Sequence, residues 1–416
     1  MTPRHLVRPA IAAAIALSLT LGNATAALAV RLPTDVVGDA AASSSPQRTA
    51  AGPDIVAPEG ILVTMDGREL WSRDASHRRP MASITKIMTA VVALERDTMT
   101  GLVTVDAKAT AVGQSDAGIR AGDTMTVASL LQAMLVRSAN EAAMALAEYT
   151  SGTVAQFVVA MNAKAAQLGL KDTHFANPHG LDVPGHYSSA RDLATLARYA
   201  MGIALFRKWV GMKAVTLTGK AGKRTYESTD VLLRTFPGAE GIKTGWTNGA
   251  GYSVVSAARR GKVELVAVIM GTKTENARFV QASRLLEWGF AHYTYRSVAT
   301  AGTPAGTVPV SDYLDRTVPV AVSENASAPV LDVEGPVTRS FSVAKQVQAP
   351  VTVGERLGTM SVLQTGRLLA QVPVVATRAA AAPGGWESFT IWLARTWRSV
   401  AGGPKIATAT PAPASP

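Results

Sequence analysis

The chain has 416 residues, 47% of them hydrophobic, which is enough for two or three domains with a real apolar core. It carries a formal net charge of +11 and no cysteine, which excludes thiol nucleophiles, disulfides and cysteine zinc sites. The charge is spread without a dense basic run, so it suits anionic envelope polymers or lipid headgroups rather than nucleic acid.

Arg4 and Arg8 precede the apolar run Ala10 to Leu21, and Ala27-Leu28-Ala29 follows as a small-residue cleavage site. Residues 1–29 read as a secretory signal peptide, too short and wrongly flanked for a membrane span. Ala24-Thr25-Ala26 offers a second cut. Residues 30–55 are small, polar and Pro-containing, and read as a flexible linker.

In ILVTMDGRELW, two apolar runs flank Asp66-Gly67 and predict a hairpin. Helical periodicity follows over 84–95, 126–136, 139–150, 153–168 and 190–202. Strand patterns return at 239–243, 252–258 and 263–270, before a last helix at 275–291. Strands at both ends with helices between predict an α+β domain over 56–298, one antiparallel sheet flanked by helices. Val-rich runs broken by Pro and Gly then predict a small all-β domain over 299–378.

The stretch WESFTIWLARTWRSV predicts an amphipathic helix over 385–400. Trp386, Phe389, Trp392, Leu393, Trp397 and Val400 gather on one side; Glu387, Ser388, Arg395, Arg398 and Ser399 lie opposite, and Ile391 is misplaced. A Trp-rich face opposite arginines suits a helix lying in a membrane interface, and it is too short and charged to span. The competing reading docks it on the protein's own β domain. The Ala/Pro-rich residues 401–416 read as a disordered tail.

Chemistry enters with PMASITKIMTA. Lys86 puts a cation in the first turn of a helix, whose end is already positive, among Ile84, Ile87 and Met88. Positions i and i+3 share a helix face, so Ser83 and Lys86 can touch. A serine needs a neighbour to remove its proton, and a lysine serves if burial or a second cation lowers its pKa. RSANEAA offers Ser138 and Asn140, although Ser138 with Glu141 also fits a capping box. GIKTGWTNGAG offers Lys243, Thr244 and Gly245 where a strand runs into a Gly-rich turn. His174, His179 and His186, with Asp182, could ligate zinc. They lie in a Pro/Gly loop without helical spacing, so loop hydrogen bonds are the favoured reading, and no metal or cofactor is assigned.

Ser-x-x-Lys, Ser-x-Asn and Lys-Thr-Gly in this order resemble the motifs of penicillin-binding proteins and serine β-lactamases. With FANPHGLDVPGHYSSARDLA and APVTVGERLGTMSVLQTGRLLAQVPVVA, the chain resembles the low-molecular-mass penicillin-binding proteins, the serine-type D-alanyl-D-alanine carboxypeptidases, over roughly 55–400. The resemblance implies a β-lactamase/transpeptidase-like fold and removal of the terminal D-Ala from peptidoglycan stem peptides through an acyl-enzyme. It also implies inhibition by β-lactams and a place at the outer face of the cytoplasmic membrane or in the envelope. It makes Ser83 the nucleophile, Lys86 its proton acceptor, Ser138 a proton relay, and Asn140 a partner of Lys86 and of the substrate amide. Lys243 and Thr244 would bind the substrate's terminal carboxylate, and Gly245 would let the strand approach closely. The oxyanion hole would use the backbone N–H groups of Ser83 and Trp246. Trp246 stands where relatives of that family usually carry Tyr, His or another residue, and Asp230 where asparagine is common. A serine β-lactamase and a non-catalytic wall-binding scaffold are the alternatives. Against the first stand the absence of a class A-type glutamate loop and the β-like C-terminal region; against the second, the intact motifs.

Overall fold

The computed structural model describes residues 52–412 apart from 221 and 405. The signal peptide and most of the linker therefore lie outside the described residues. The hairpin forms as strands Glu59–Thr64 and Glu69–Arg73, with Gly67 taking the positive φ (+96°) that the turn requires. Three further strands, Ala239–Thr247, Gly251–Arg260 and Val263–Thr272, complete an antiparallel sheet. Its order is 69–73, 59–64, 263–272, 251–260, 239–247, so the first hairpin pairs with the last strand in sequence.

The near-continuous apolar runs of the central strands follow from burial on both faces. Ile61, Val266 and Val268 face one core, shared with helices Lys86–Arg96, Asn140–Ser151, Val154–Gln167 and Ala190–Met201. Leu62, Leu265 and Ile269 face a second core under the long helix Glu275–His292. Lys86 to Ala93 are buried without a break, because their helix runs through the middle of the helical layer.

Two local departures from simple periodicity bear on the site. The stretch predicted as one helix over 126–136 is α-helical over Val127–Gln132 and π-helical over Ala133–Arg137, ending on Ser138 in the left-handed region (φ +70°). π-turns of this kind concentrate at functional sites because they re-aim the residue that follows. The other is a hairpin, Ala214–Gly219 with Gly222–Glu227, that the helical reading passed over.

The composition shift places the change of architecture at 298/299. Strand Tyr293–Ala299 instead leaves the long helix directly and pairs with Ala326–Leu331, so the β region takes it in. A five-stranded antiparallel sheet follows, in the order 304–309, 317–322, 367–376, 356–364, 337–343. Its core is Val308, Val320, Met360, Val362 and Val374.

The terminal helix spans Gly385–Ala401, and no helix among the described residues is long and apolar enough to cross a membrane. Its polar face turns inward. Arg395 donates to the Ser311 carbonyl (2.7 Å), Arg398 pairs with Asp315, and Ile391 packs on the β core. That contact explains the residue misplaced on the helical projection. The aromatic face is bare, with Trp386, Trp392 and Trp397 exposed. The tail, expected to be structureless, comes back to the sheet edge, where Thr410 and Thr307 exchange two hydrogen bonds (3.0 and 3.1 Å).

The first hairpin is joined to the β region through Arg68, 4% exposed, at the end of the hairpin turn. Its guanidinium donates to Gln364 Oε1 (2.9 Å) and pairs with Glu334, while Gln364 Nε2 donates to the Leu331 and Gly335 carbonyls. Arg68→Ala is expected to cost about 1–3 kcal/mol, because Gln364 Oε1 keeps only the longer bond from the Leu331 N–H (3.3 Å) and Glu334 loses its guanidinium partner. A lower denaturant midpoint with faster proteolysis between the two sheets checks this.

Candidate active site

Ser83 sits in a 3-10 turn, Ala82–Thr85, that leads into the helix starting at Lys86. It caps neither element, whose N-cap positions fall to Met81 and Thr85. The preceding Ala82 is held at φ +48°, a region costly for a residue with a Cβ, and it persists because the surroundings fix it. Gly180 is one such constraint. A Cβ there would stand 2.0 Å from the Ala82 carbonyl oxygen and 2.9 Å from the Ser83 nitrogen. Gly245 is another, since its Cβ would meet the Met81 carbonyl at 3.0 Å and Ala82 Cβ at 3.1 Å. The glycine of Lys-Thr-Gly thus lets the strand lie against the turn that carries Ser83.

Lys86 is 0% exposed, and its Nζ has three acceptors: Ser83 Oγ at 2.8 Å, Asn140 Oδ1 at 2.7 Å and the His179 carbonyl at 2.7 Å. Burial lowers its pKa well below the ordinary lysine value, Lys243 lowers it further, and Glu141 opposes both. The one side chain hydrogen-bonded to the serine hydroxyl among the described residues is therefore a lysine biased toward its neutral form. Asn140 is oriented by donating from Nδ2 to the Gly113 carbonyl (3.0 Å).

Ser138 lines the same cleft as Ser83. Its helix is capped by Ala139 without a side-chain bond, and Glu141 turns instead to accept from the Ala117 N–H (2.6 Å), so the Ser138–Glu141 capping box does not form. The cleft, about 970 Å³, is also lined by Asn140, Thr229, Thr244, Gly245, Trp246 and Arg278. Trp246, half exposed, stacks at a tilt on Tyr252 with ring centroids 5.6 Å apart.

Lys243 lies beneath the wall rather than on it. It is 1% exposed, donates to the Thr244 carbonyl (3.0 Å), and burial lowers its pKa to about 7. The cation that does line the cleft is Arg278, on the long helix, which donates to the Gly245 carbonyl (3.2 Å) and to Glu275. Sequence reasoning passed over Arg278, Thr229 and Gly180. Only the register of the long helix against the sheet could have placed Arg278; Gly180 lay inside FANPHGLDVPGHYSSARDLA, unremarked.

The histidines serve the loop. His186 contacts Thr85 Oγ1 (2.7 Å) and accepts from the Ala176 N–H (2.9 Å), His174 contacts the Gly185 carbonyl (2.6 Å), and His179 accepts from the Leu181 N–H (3.2 Å). Burial holds His179 down at about 3 and His186 at about 4, so both are neutral near pH 7. Asp182 is bound to Thr247 Oγ1 (2.7 Å) and the Gly249 N–H (3.0 Å).

A serine bonded to a buried lysine, facing a strand that carries a second lysine, is an arrangement that suits serine acyl transfer on an α+β scaffold. Comparison with known proteins makes the class specific. The family model for D-alanyl-D-alanine carboxypeptidase matches residues 46–274, and that for the C-terminal domain of penicillin-binding protein 5 matches 293–381. The D-alanyl-D-alanine carboxypeptidase DacF of Bacillus subtilis is 31% identical over 331 residues, covering 77% of this chain and 85% of that protein. Among solved structures, penicillin-binding protein 5 of Haemophilus influenzae is 29% identical, with a TM-score of 0.60 over 80% of this chain and 99% of the other. The Streptomyces K15 DD-transpeptidase is 33% identical, with a TM-score of 0.56 over 58% of this chain and 100% of the other. The chain belongs to the D-alanyl-D-alanine carboxypeptidase family, the low-molecular-mass penicillin-binding proteins.

The packing of Gly180 generates a prediction. Gly180→Ala combines a positive φ (+97°) with a backbone clash, and should displace the nucleophile turn. Penicillin acylation is expected to slow at least tenfold, with a lowered melting temperature, in stopped-flow and thermal-unfolding measurements.

Proposed function

We propose that this protein removes the terminal D-Ala from peptidoglycan stem peptides, with Ser83 as nucleophile and Lys86 as base. The observation that carries this reading is the 2.8 Å contact between Ser83 Oγ and the Nζ of a fully buried lysine. Neutral Lys86 takes the Ser83 proton as Oγ attacks the penultimate carbonyl carbon. The oxyanion draws on the backbone N–H groups of Ser83 and Trp246. The C–N bond then breaks, and the proton returns to the leaving amine by way of Lys86 and Ser138. Water attacks the resulting ester, giving its proton to the same base and restoring Ser83. Thr244 and Arg278 on the cleft wall, with Lys243 beneath, supply the field and hydrogen bonds for the substrate's terminal carboxylate; Asn140 serves its amide. β-Lactams enter the first step and stall at the ester.

Labelling by fluorescent penicillin should disappear in Ser83→Ala while the fold stays intact by circular dichroism. Lys86→Ala should slow acylation by about 10²–10⁴-fold, the usual contribution of a positioned base. A lowered Lys86 pKa means that the base gains strength as pH rises, so the parent's acylation rate should climb to a plateau well below the ordinary lysine range. Persistence of that rise in Lys86→Ala would assign it to another group. EDTA should leave turnover of a D-Ala-D-Ala pentapeptide unchanged.

We further propose an exported enzyme held at the outer face of the cytoplasmic membrane by the terminal helix. The bare face of Trp386, Phe389, Trp392 and Trp397 supports this, since an apolar patch on a soluble surface marks a contact surface. Arg395 and Arg398 are engaged by the β domain, so the aromatic face rather than these cations would carry the attachment. Deleting 385–416, or substituting Trp392→Glu with Trp397→Glu, should abolish liposome flotation with pentapeptide turnover nearly unchanged. Neutral and anionic vesicles should differ little through Arg395 and Arg398. Flotation of the truncated protein would remove the helix from this role.

A further inference from the structure

The loop that carries the histidines is bonded to the nucleophile helix at three points. Lys86 Nζ donates to the His179 carbonyl, Thr89 Oγ1 to the Pro178 carbonyl (2.6 Å), and Thr85 Oγ1 meets His186 Nε2 (2.7 Å). The third contact has a fixed direction. A backbone N–H can only donate, so the bond from Ala176 (2.9 Å) makes Nδ1 of His186 the acceptor. A ring that accepts at Nδ1 is neutral and carries its proton on Nε2. Burial agrees, holding this imidazole down at about 4. Nε2 therefore donates to the Thr85 hydroxyl. The hydroxyl's own proton goes on to the Ala82 carbonyl at 2.8 Å. His186 and Thr85 are 3% and 0% exposed, so both bonds are shielded from solvent.

The Ala82 carbonyl and the Ser83 N–H are the two ends of one planar peptide unit and point in opposite directions. Whatever fixes the carbonyl fixes the N–H, and a hydrogen bond accepted at one end strengthens donation at the other. Ala82 lies at φ +48°, where a residue with a Cβ relaxes unless it is held. We propose that His186 and Thr85 are positioning residues for the oxyanion hole, a one-way chain from the imidazole through the hydroxyl to the Ala82 carbonyl that aims the Ser83 N–H. This rests on the reading of Ser83 as nucleophile and of its N–H as an oxyanion donor. Neither side chain is among those lining the cleft; both act through the peptide unit. Their effect falls on the transition state, because charge on the substrate's carbonyl oxygen develops only as Oγ attacks.

Thr85→Val keeps the side chain's shape and removes the hydroxyl. In stopped-flow acylation of the full chain by penicillin, its acylation rate constant should fall about tenfold or more, part of the roughly 10²–10³ that one oxyanion donor is worth. The preceding dissociation constant should stay near the parent's. Thr85→Ser restores the hydroxyl and should recover most of the rate. His186→Phe breaks the chain from the loop side and should slow the same step, and it carries the measurement if Thr85→Val does not fold. The double variant should be no slower than the worse single one, since both remove one chain. The infrared carbonyl band of the penicilloyl ester reads the hole directly. It should move to higher frequency in Thr85→Val and His186→Phe and return in Thr85→Ser, a signature that mere loss of stability does not produce. Acylation of Thr85→Val or His186→Phe at the parent rate, or slowing with an unmoved band, would overturn the proposal, as would a Thr85→Ser as slow as Thr85→Val. A parent that forms no ester at Ser83 would overturn the reading of the nucleophile instead.

Discussion

The structure is organised around the burial of one lysine. Removing an ammonium from water without a counter-charge is among the most unfavourable acts in folding, and the usual escape is loss of the proton. Burial biases Lys86 toward that escape, and three acceptors around it hold the amine in place. Its helix is buried all round from Lys86 to Ala93, in the middle of the helical layer. The Asn140 amide oxygen and the His179 carbonyl fix the amine's direction without offering a full negative charge that would stabilise its proton. The Lys-Thr-Gly strand brings a second cation near enough to discourage protonation further.

That requirement explains the local strain. Ser83 has to reach the amine from the turn before the helix, which forces Ala82 into the left-handed region and calls for glycine at 180 and 245, where two other segments press on the turn. Ser138 reaches the cleft from a comparable conformation, after a π-helical stretch that rotates the chain out of its helical path. A left-handed residue just before Ser83 and another at Ser138, on separate elements, is what a pre-organised site looks like in a static structure.

Much of this was legible in the residues. Lys86 was out of place as a helix residue, and the period of the apolar positions gave the sheet, the helical layer and the β domain. The family likeness supplied the order of the motifs and the fold they belong to. The unread parts share a physical cause: they depend on which surfaces meet. Arg278 looks like an ordinary helical arginine until the long helix is laid on the sheet and its guanidinium reaches the Gly245 carbonyl. Lys243 looked like a wall residue, but strand geometry puts it underneath. Ser138 and Glu141 matched a cap by spacing, while tertiary bonds claimed the glutamate. The terminal helix was read correctly as amphipathic, yet its inward face is the charged one, because Ser311 and Asp315 offer it oxygen atoms and Ile391 alone meets the core.

The Arg68 joint gives that helix a mechanical meaning. A guanidinium locked to Gln364 and Glu334 ties the first hairpin of the catalytic sheet to the β domain, and the returning tail lies on the edge of the same β domain. Parts so fastened translate and tilt together. Under the attachment proposed for the aromatic helix, a tilt imposed there would be handed on through the guanidinium to the catalytic sheet instead of being absorbed by a loose hinge.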